Sequence, residues 1–148
     1  MVTPAVRRDR RSEWIGTVIV LAAAIWYWLQ YFNRNTNLLD EGSTAAQALR
    51  ILHGDVIYRD FFTVVTPLSY YTIAALFQVF GEQLMVMRWA ALVTGVGLAL
   101  VTLLVARRIC GWPFAAAAAL LTTVWGWFLA TPNFYSLEAA LFALIAVA

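Results

Sequence analysis

Charge is what this sequence has least of. Only 12% of its 148 residues are Asp, Glu, Lys or Arg, 63% are hydrophobic, and the mean hydropathy is +0.76. That balance is too apolar for a water-soluble domain of this size and leaves lipid as the natural solvent. Cysteine is almost missing as well. Cys110 stands alone, so no intramolecular disulfide can staple the fold, and with no Cys or His beside it no thiolate metal set can form. No repeat, low-complexity tract or Pro/Ser-rich linker divides the chain. A basic stripe is absent too. The net charge is +2, yet the arginines fall as Arg7, Arg8, Arg10 and Arg11, then singly, then as the pair Arg107-Arg108. This spacing tracks no nucleic-acid backbone and reads as a topology signal.

What is present is a series of apolar runs: Trp14 to Phe32, Leu68 to Phe80, Trp89 to Ala106, Trp112 to Ala130 and Leu137 to Ala148. A helix crosses the hydrocarbon core with roughly 20 residues, which the first, third and fourth runs approach. The first run is too long for a cleaved signal core. It ends in an aromatic belt, Trp26, Tyr27, Trp28, Tyr31 and Phe32, with no small-residue cleavage site after it, so it reads as an anchor. Leu68 to Phe80, held between Pro67 and Gly81, has the length of an interfacial or re-entrant helix. Parity agrees. If that segment does not cross, both arginine clusters lie on the cytoplasmic side; if it does, Arg107 and Arg108 are left outside.

The expected fold is all-α, a polytopic membrane helix bundle. Three full transmembrane helices are placed at 14–32, 89–106 and 112–130, with a truncated fourth at 137–148. Amphipathic juxtamembrane helices are expected at about 41–52 and 68–80, inside an external loop spanning 33–88. The last helix stops after about 12 residues, too few to span, so the chain is expected to be the N-terminal part of one larger membrane domain.

The polar residues concentrate in that external loop. Asp40 and Glu41 open a segment in which Ala45, Ala48, Leu49 and Leu52 recur at helical spacing and Gly54 ends the run. The pattern predicts an amphipathic helix on the outer membrane surface. On one reading Asp40 only caps this helix and Glu41 complements its dipole, a stabilisation of about 0.3 to 2 kcal/mol. The stretch Gly54 to Phe62 then crowds charges, aromatics and a turn into a few residues, more than a plain loop requires.

Taken in order, Asp40-Glu41-Gly42, Ala48 to Gly54, Tyr58-Arg59-Asp60-Phe61, Thr66-Pro67-Leu68, Tyr70-Tyr71, Leu76-Phe77, Phe80-Gly81 and Arg88 resemble the first external loop of GT-C glycosyltransferases. The pattern is that of the bacterial members related to protein mannosyltransferases and to lipid A aminoarabinose transferases. The resemblance runs from Trp14 to the end, and its specific part lies between Asp40 and Arg88. It implies a multi-pass protein of the cell (inner) membrane with a cytoplasmic N-terminus. The implied reaction moves a sugar from a polyprenyl-phosphate-linked donor to a hydroxyl of an acceptor glycan, lipid or protein at the outer face, with no cofactor and no nucleic acid.

The family's catalytic acid falls on Asp40, with Glu41 beside it. The chemistry suits a carboxylate, which can take the proton of the attacking hydroxyl, while the departing lipid phosphate needs cationic partners. Arg59 and Arg88 are the candidates for that second role; Arg88, at the entry of a helix, can equally snorkel to the interface. Asp60 belongs to the same motif. Tyr58, Tyr70 and Tyr71 can line a groove for sugar or lipid, or simply sit at the interface. Glu138 occupies the place of a second acid in the next external loop, where the family commonly has Asp, or is an acid near a helix N-terminus. The family also leads one to expect Lys near Thr66. His53 reads as a helix C-terminal residue. No metal is expected, because Asp40 and Glu41, adjacent on a helix, point apart.

The rival reading is a non-enzymatic multi-pass subunit or transporter component. Transporters put polar groups at mid-membrane, and the runs Trp89 to Ala106 and Trp112 to Ala130 contain no ionisable residue. The map is testable with single cysteines and an impermeant thiol reagent on intact cells. Positions Asp55 and Glu82 are expected to label and Arg107 is not; an externally reactive Arg107 position means that Leu68 to Phe80 crosses.

Overall fold

A computed structural model describes residues 10–32, 40–63, 65–129 and 134–148. The expected start of the external loop at 33–39, residues 130–133, and Arg7 and Arg8 lie outside the described residues. Six α-helices and no strand are present among the described residues: α1 (Arg10–Tyr31), α2 (Asp40–Leu52), α3 (Pro67–Phe80), α4 (Leu84–Ile109), α5 (Trp112–Leu129) and α6 (Phe134–Val147). α4 is the central element, packed against α5, α6 and α1, while α2 and α3 pair with each other beside its first turns.

The two ends of the bundle are marked by specific contacts. At one end the Arg107 guanidinium donates to Glu13 at 2.5 Å, joining the end of α4 to the start of α1, and Arg108 donates to the Ala148 carbonyl. At the other end Phe32 lies on Trp89 with ring centroids 4.6 Å apart. α1 and α4 are therefore antiparallel, and Glu13 and the Arg107-Arg108 pair share one end.

Glycine decides how closely the helices approach. The Trp28 indole sits on Gly95 of α4, where a Cβ would fall 2.5 Å from the ring, and the Trp112 indole sits on Gly16 of α1, where it would fall 2.2 Å away. Ala115, Ala116 and Ala119 form the matching small face of α5 against Val20 and Leu103. Small residues let backbones come together so that dispersion contacts accumulate.

One expectation needs correction. Among the described residues only α1, over Arg11–Gln30, and α4 are long and apolar enough to cross a membrane. The third full crossing placed at 112–130 is not found among the described residues, where the shorter apolar helices run over Trp112–Trp125 and Ser136–Val147.

The amphipathic helix expected at about 41–52 is α2. Its apolar face meets protein. Ala45 and Ala48 are buried against Ile73, Ala74 and Phe77 of α3 and Met87 and Ala91 of α4, with Leu49 and Leu52 packed around them. Amphipathic spacing fixes which side of a helix is buried but not what covers it, and here α3 supplies the partner.

The cap formed by α2 and α3 has well-defined ends. Gly54, at φ 103°, closes α2 with the Gly54 N–H on the Ile51 carbonyl and the Asp55 N–H on the Arg50 carbonyl, a Schellman arrangement that needs the left-handed backbone. Pro67 opens α3, where its missing N–H costs nothing. α3 then buries Ser69, Tyr70, Ile73, Ala74 and Phe77 and turns Leu68, Tyr71, Val79 and Phe80 outward.

Gly95→Ala tests the Trp–Gly seam, since the new methyl must displace a buried indole, an overpacking cost of about 1–3 kcal/mol. Gly97→Ala is the control. Its Cβ meets Leu141 at an ordinary 3.7 Å, and it gains helix propensity of up to about 1 kcal/mol. Thermal unfolding in detergent is expected to rank Gly95→Ala below the parent and Gly97→Ala at or above it.

Candidate functional site

The two buried acids, Glu41 and Glu138, lie near the start of α4, and the buried hydroxyls of Thr63 and Ser69 lie beside them, whereas Thr17 and Thr123 are buried on α1 and α5. Glu41, in the first turn of α2, accepts a hydrogen bond from Arg88 Nη2 at 3.1 Å, and the two side chains are only 5% and 11% exposed. Arg88 also directs Nη1 toward the Phe32 carbonyl at 3.4 Å. One guanidinium thus joins the end of α1, the start of α2 and the second turn of α4. The positive end of the α2 dipole favours an acid at Glu41.

A second buried acid lies on α6. Glu138, 6% exposed, accepts Ser69 Oγ at 2.5 Å on one carboxylate oxygen and Thr72 Oγ1 at 3.0 Å on the other. Both hydroxyls come from α3, one turn apart. No basic side chain pairs with Glu138 among the described residues. Nearby, Thr63 Oγ1 donates to the Tyr70 hydroxyl at 3.0 Å, with both residues buried, which pins the connection after α2 onto α3.

That connection carries a third, exposed cluster. Arg50 donates through Nε to Asp55 at 2.7 Å and through Nη2 to the Asp60 carbonyl at 3.2 Å, and its guanidinium lies 4.3 Å from the centre of the Phe61 ring. Asp60 accepts the Val56 N–H at 2.7 Å and Arg59 Nη2 at 2.7 Å. Hydrogen bonding from Arg59, then from the Val56 N–H, holds the Asp60 carboxyl below its usual range, and the same bond raises Arg59 above its own. The contribution of this pair to folding is therefore present above the ordinary Asp pKa and is lost as pH falls through the lowered one. Tyr58 sits at the tip with φ 67°, a left-handed conformation that costs a bulky residue of order 1–3 kcal/mol. Its exposed ring meets the edge of Phe62 with centroids 6.1 Å apart.

Set against the sequence, the structure brings some candidates together and separates others. Glu41 and Arg88, expected to act on acceptor and phosphate respectively, are partners of each other. Arg88 is turned inward, its guanidinium bonded to Glu41. Arg59 and Asp60 are paired and exposed. Tyr70 is closed off, whereas Tyr58 and Tyr71 are open. Asp40 is the first residue of α2, and its side chain lies outside what the structure describes. His53 follows the end of α2, with Nε2 3.8 Å from Glu82. Among the described residues no group of three His, Cys, Asp or Glu side chains is placed to hold a metal.

Ser69 and Thr72 are site residues that sequence reasoning missed. Their signal was two hydroxyls three positions apart, which share one side of a helix. Comparison with family models, with curated proteins and with solved structures finds no match to the chain.

The Glu41–Arg88 pair yields a stability test. Removing one member leaves the other charge buried alone, so Arg88→Met is expected to cost about 3–5 kcal/mol, and the double variant Glu41→Leu/Arg88→Met is expected to recover most of that loss. Chemical unfolding in detergent measures both. Equal destabilisation by the single and double variants means that the pair is not coupled.

Proposed function

We propose that the chain is part of a membrane glycosyltransferase that acts on lipid-borne substrates at the outer surface of the cell membrane. The observation that carries this reading is the segregation of polarity. Glu41, Arg88, Glu138, Ser69 and Thr72 gather around the end of the bundle where α4 begins, while the bundle's exterior is apolar. Only 22% of the most apolar stretch of α1 and 33% of that of α4 is buried, and Trp14, Val18, Ile19, Val93, Leu104 and Leu121 face outward. Such a surface suits hydrocarbon, and such an end suits chemistry at the membrane boundary. The arginine clusters orient the Glu13–Arg107 end toward the cytoplasm and the cap outward.

In this reading Asp40 accepts the proton of an acceptor hydroxyl as its oxygen bonds to the anomeric carbon. The bond from that carbon to the lipid phosphate breaks, and the phosphate keeps the electron pair. Its charge needs a cation. Arg88 is buried against Glu41 and the Phe32 carbonyl, so the role falls to Arg59, which is paired with Asp60 but exposed on the connecting loop. Arg88 instead positions α2, and with it Asp40, against α4. Passage of a solute through the bundle, the rival reading, lacks support, because α4 between Trp89 and Ala106 carries no ionisable residue.

Asp40→Asn tests the assignment. Asn is about as good an N-cap as Asp, so membrane levels are expected to hold. Positioned proton transfer contributes about 10²–10⁴-fold, so sugar transfer in membranes is expected to fall by that factor. Glu41→Gln is expected to act mainly by loosening the Arg88 contact, lowering thermal stability. Near-normal transfer by Asp40→Asn at normal levels returns Asp40 to a capping role.

A further inference from the structure

A groove of about 490 Å³ opens between α3 and α4 on the outside of the bundle, walled by Thr72, Leu76 and Phe80 on one side and by Trp89, Val93 and Thr94 on the other. Its size is that of a small-molecule site, about 300–1,000 Å³. Phe80, Trp89 and Val93 are exposed along it, so the groove is continuous with the apolar exterior. Two hydroxyls line it, and they differ. Thr94 donates to the Ala90 carbonyl of its own helix at 2.8 Å and needs nothing further. Thr72 has one proton and two acceptors within reach, the Leu68 carbonyl at 3.0 Å and the Glu138 carboxylate at 3.0 Å. Its oxygen keeps a lone pair for an incoming donor, and the buried carboxylate behind it strengthens that oxygen as an acceptor.

No cation lines the groove. An apolar channel whose polar feature is an acceptor backed by a carboxylate takes a hydrocarbon chain that ends in an O–H donor. It disfavours a phosphate or carboxylate head by charge. We infer that the α3–α4 groove binds the acceptor as a membrane-borne alcohol, a long hydrocarbon chain whose hydroxyl donates to Thr72 Oγ1 with Glu138 behind it. The acceptor role rests on the glycosyltransferase reading; the binding preference does not. Glu138 acts here through Thr72 and is a positioning residue.

The test uses the protein in lipid nanodiscs with a hexadecanol analogue carrying a diazirine in its chain, followed by mapping of the labelled peptides. Label is expected on the α3–α4 segment between 72 and 94. Hexadecanol is expected to compete about three- to tenfold better than hexadecyl methyl ether, which keeps the chain but lacks the donor, and better than hexadecyl phosphate. Thr72→Val is expected to erase the preference for the alcohol over the ether. Val93→Trp, an outward position that folding tolerates, is expected to fill the groove and abolish the label. Equal competition by ether or phosphate, or labelling that survives Val93→Trp, overturns the site. Sugar transfer by a protein that the alcohol fails to label overturns the groove and leaves the enzyme standing. Labelling of a protein that transfers no sugar overturns the acceptor role.

Discussion

A carboxylate and a guanidinium held at the end of an apolar bundle remain there only as a pair. The desolvation cost of either Glu41 or Arg88 alone is several kcal/mol, and their contact at 3.1 Å offsets it only while both helices stay in place. The constraint is geometric as much as energetic. Arg88 projects from the second turn of α4, Glu41 from the first turn of α2, and the Phe32 carbonyl from the end of α1, so three chain segments must meet at one point. The position of Asp40, one residue before Glu41, follows from that meeting.

The rest of the cap is arranged around this fixed point. α2 buries Ala45 and Ala48 on α3 and α4, and α3 in turn carries Ser69 and Thr72 to Glu138 of α6. The α2–α3 unit is therefore tied to the bundle by an ion pair on one side and a carboxylate–hydroxyl bridge on the other, with apolar packing between. Below the cap, the seams at Gly16–Trp112 and Gly95–Trp28 lock α1 to α5 and α4 by shape. Shape locks the part of the fold that carries no charge, and paired polar groups lock the part that carries it.

Much of the helical layout was legible because it is local. Pro67 and Gly81 bracket α3, Gly54 closes α2, and the unbroken apolar run after Trp89 gives α4. Composition alone pointed to lipid, and the two arginine clusters anticipated a common end, where Glu13 now meets Arg107. Pairings across the chain were not legible. Nothing in the sequence says that Arg88 seeks Glu41 rather than a phosphate, since both partners are anionic and only tertiary packing chooses between them. The amphipathic face of α2 announced burial without naming α3 as its cover. Ser69 and Thr72 were passed over because hydroxyls are common on helices, and only the arrival of Glu138 from 66 to 69 residues away gives them meaning.

The central claim is sugar transfer at the outer membrane surface, and sidedness in vesicles tests it most directly. Right-side-out and inverted vesicles from cells overproducing the complete protein would be given radiolabelled polyprenyl-phosphate mannose or polyprenyl-phosphate aminoarabinose, and the transfer of label to membrane lipid and glycan would be followed. Protein-dependent transfer in right-side-out vesicles, much reduced in inverted ones, is the predicted result. Transfer confined to inverted vesicles, or no protein-dependent transfer from either donor in either orientation, would contradict it.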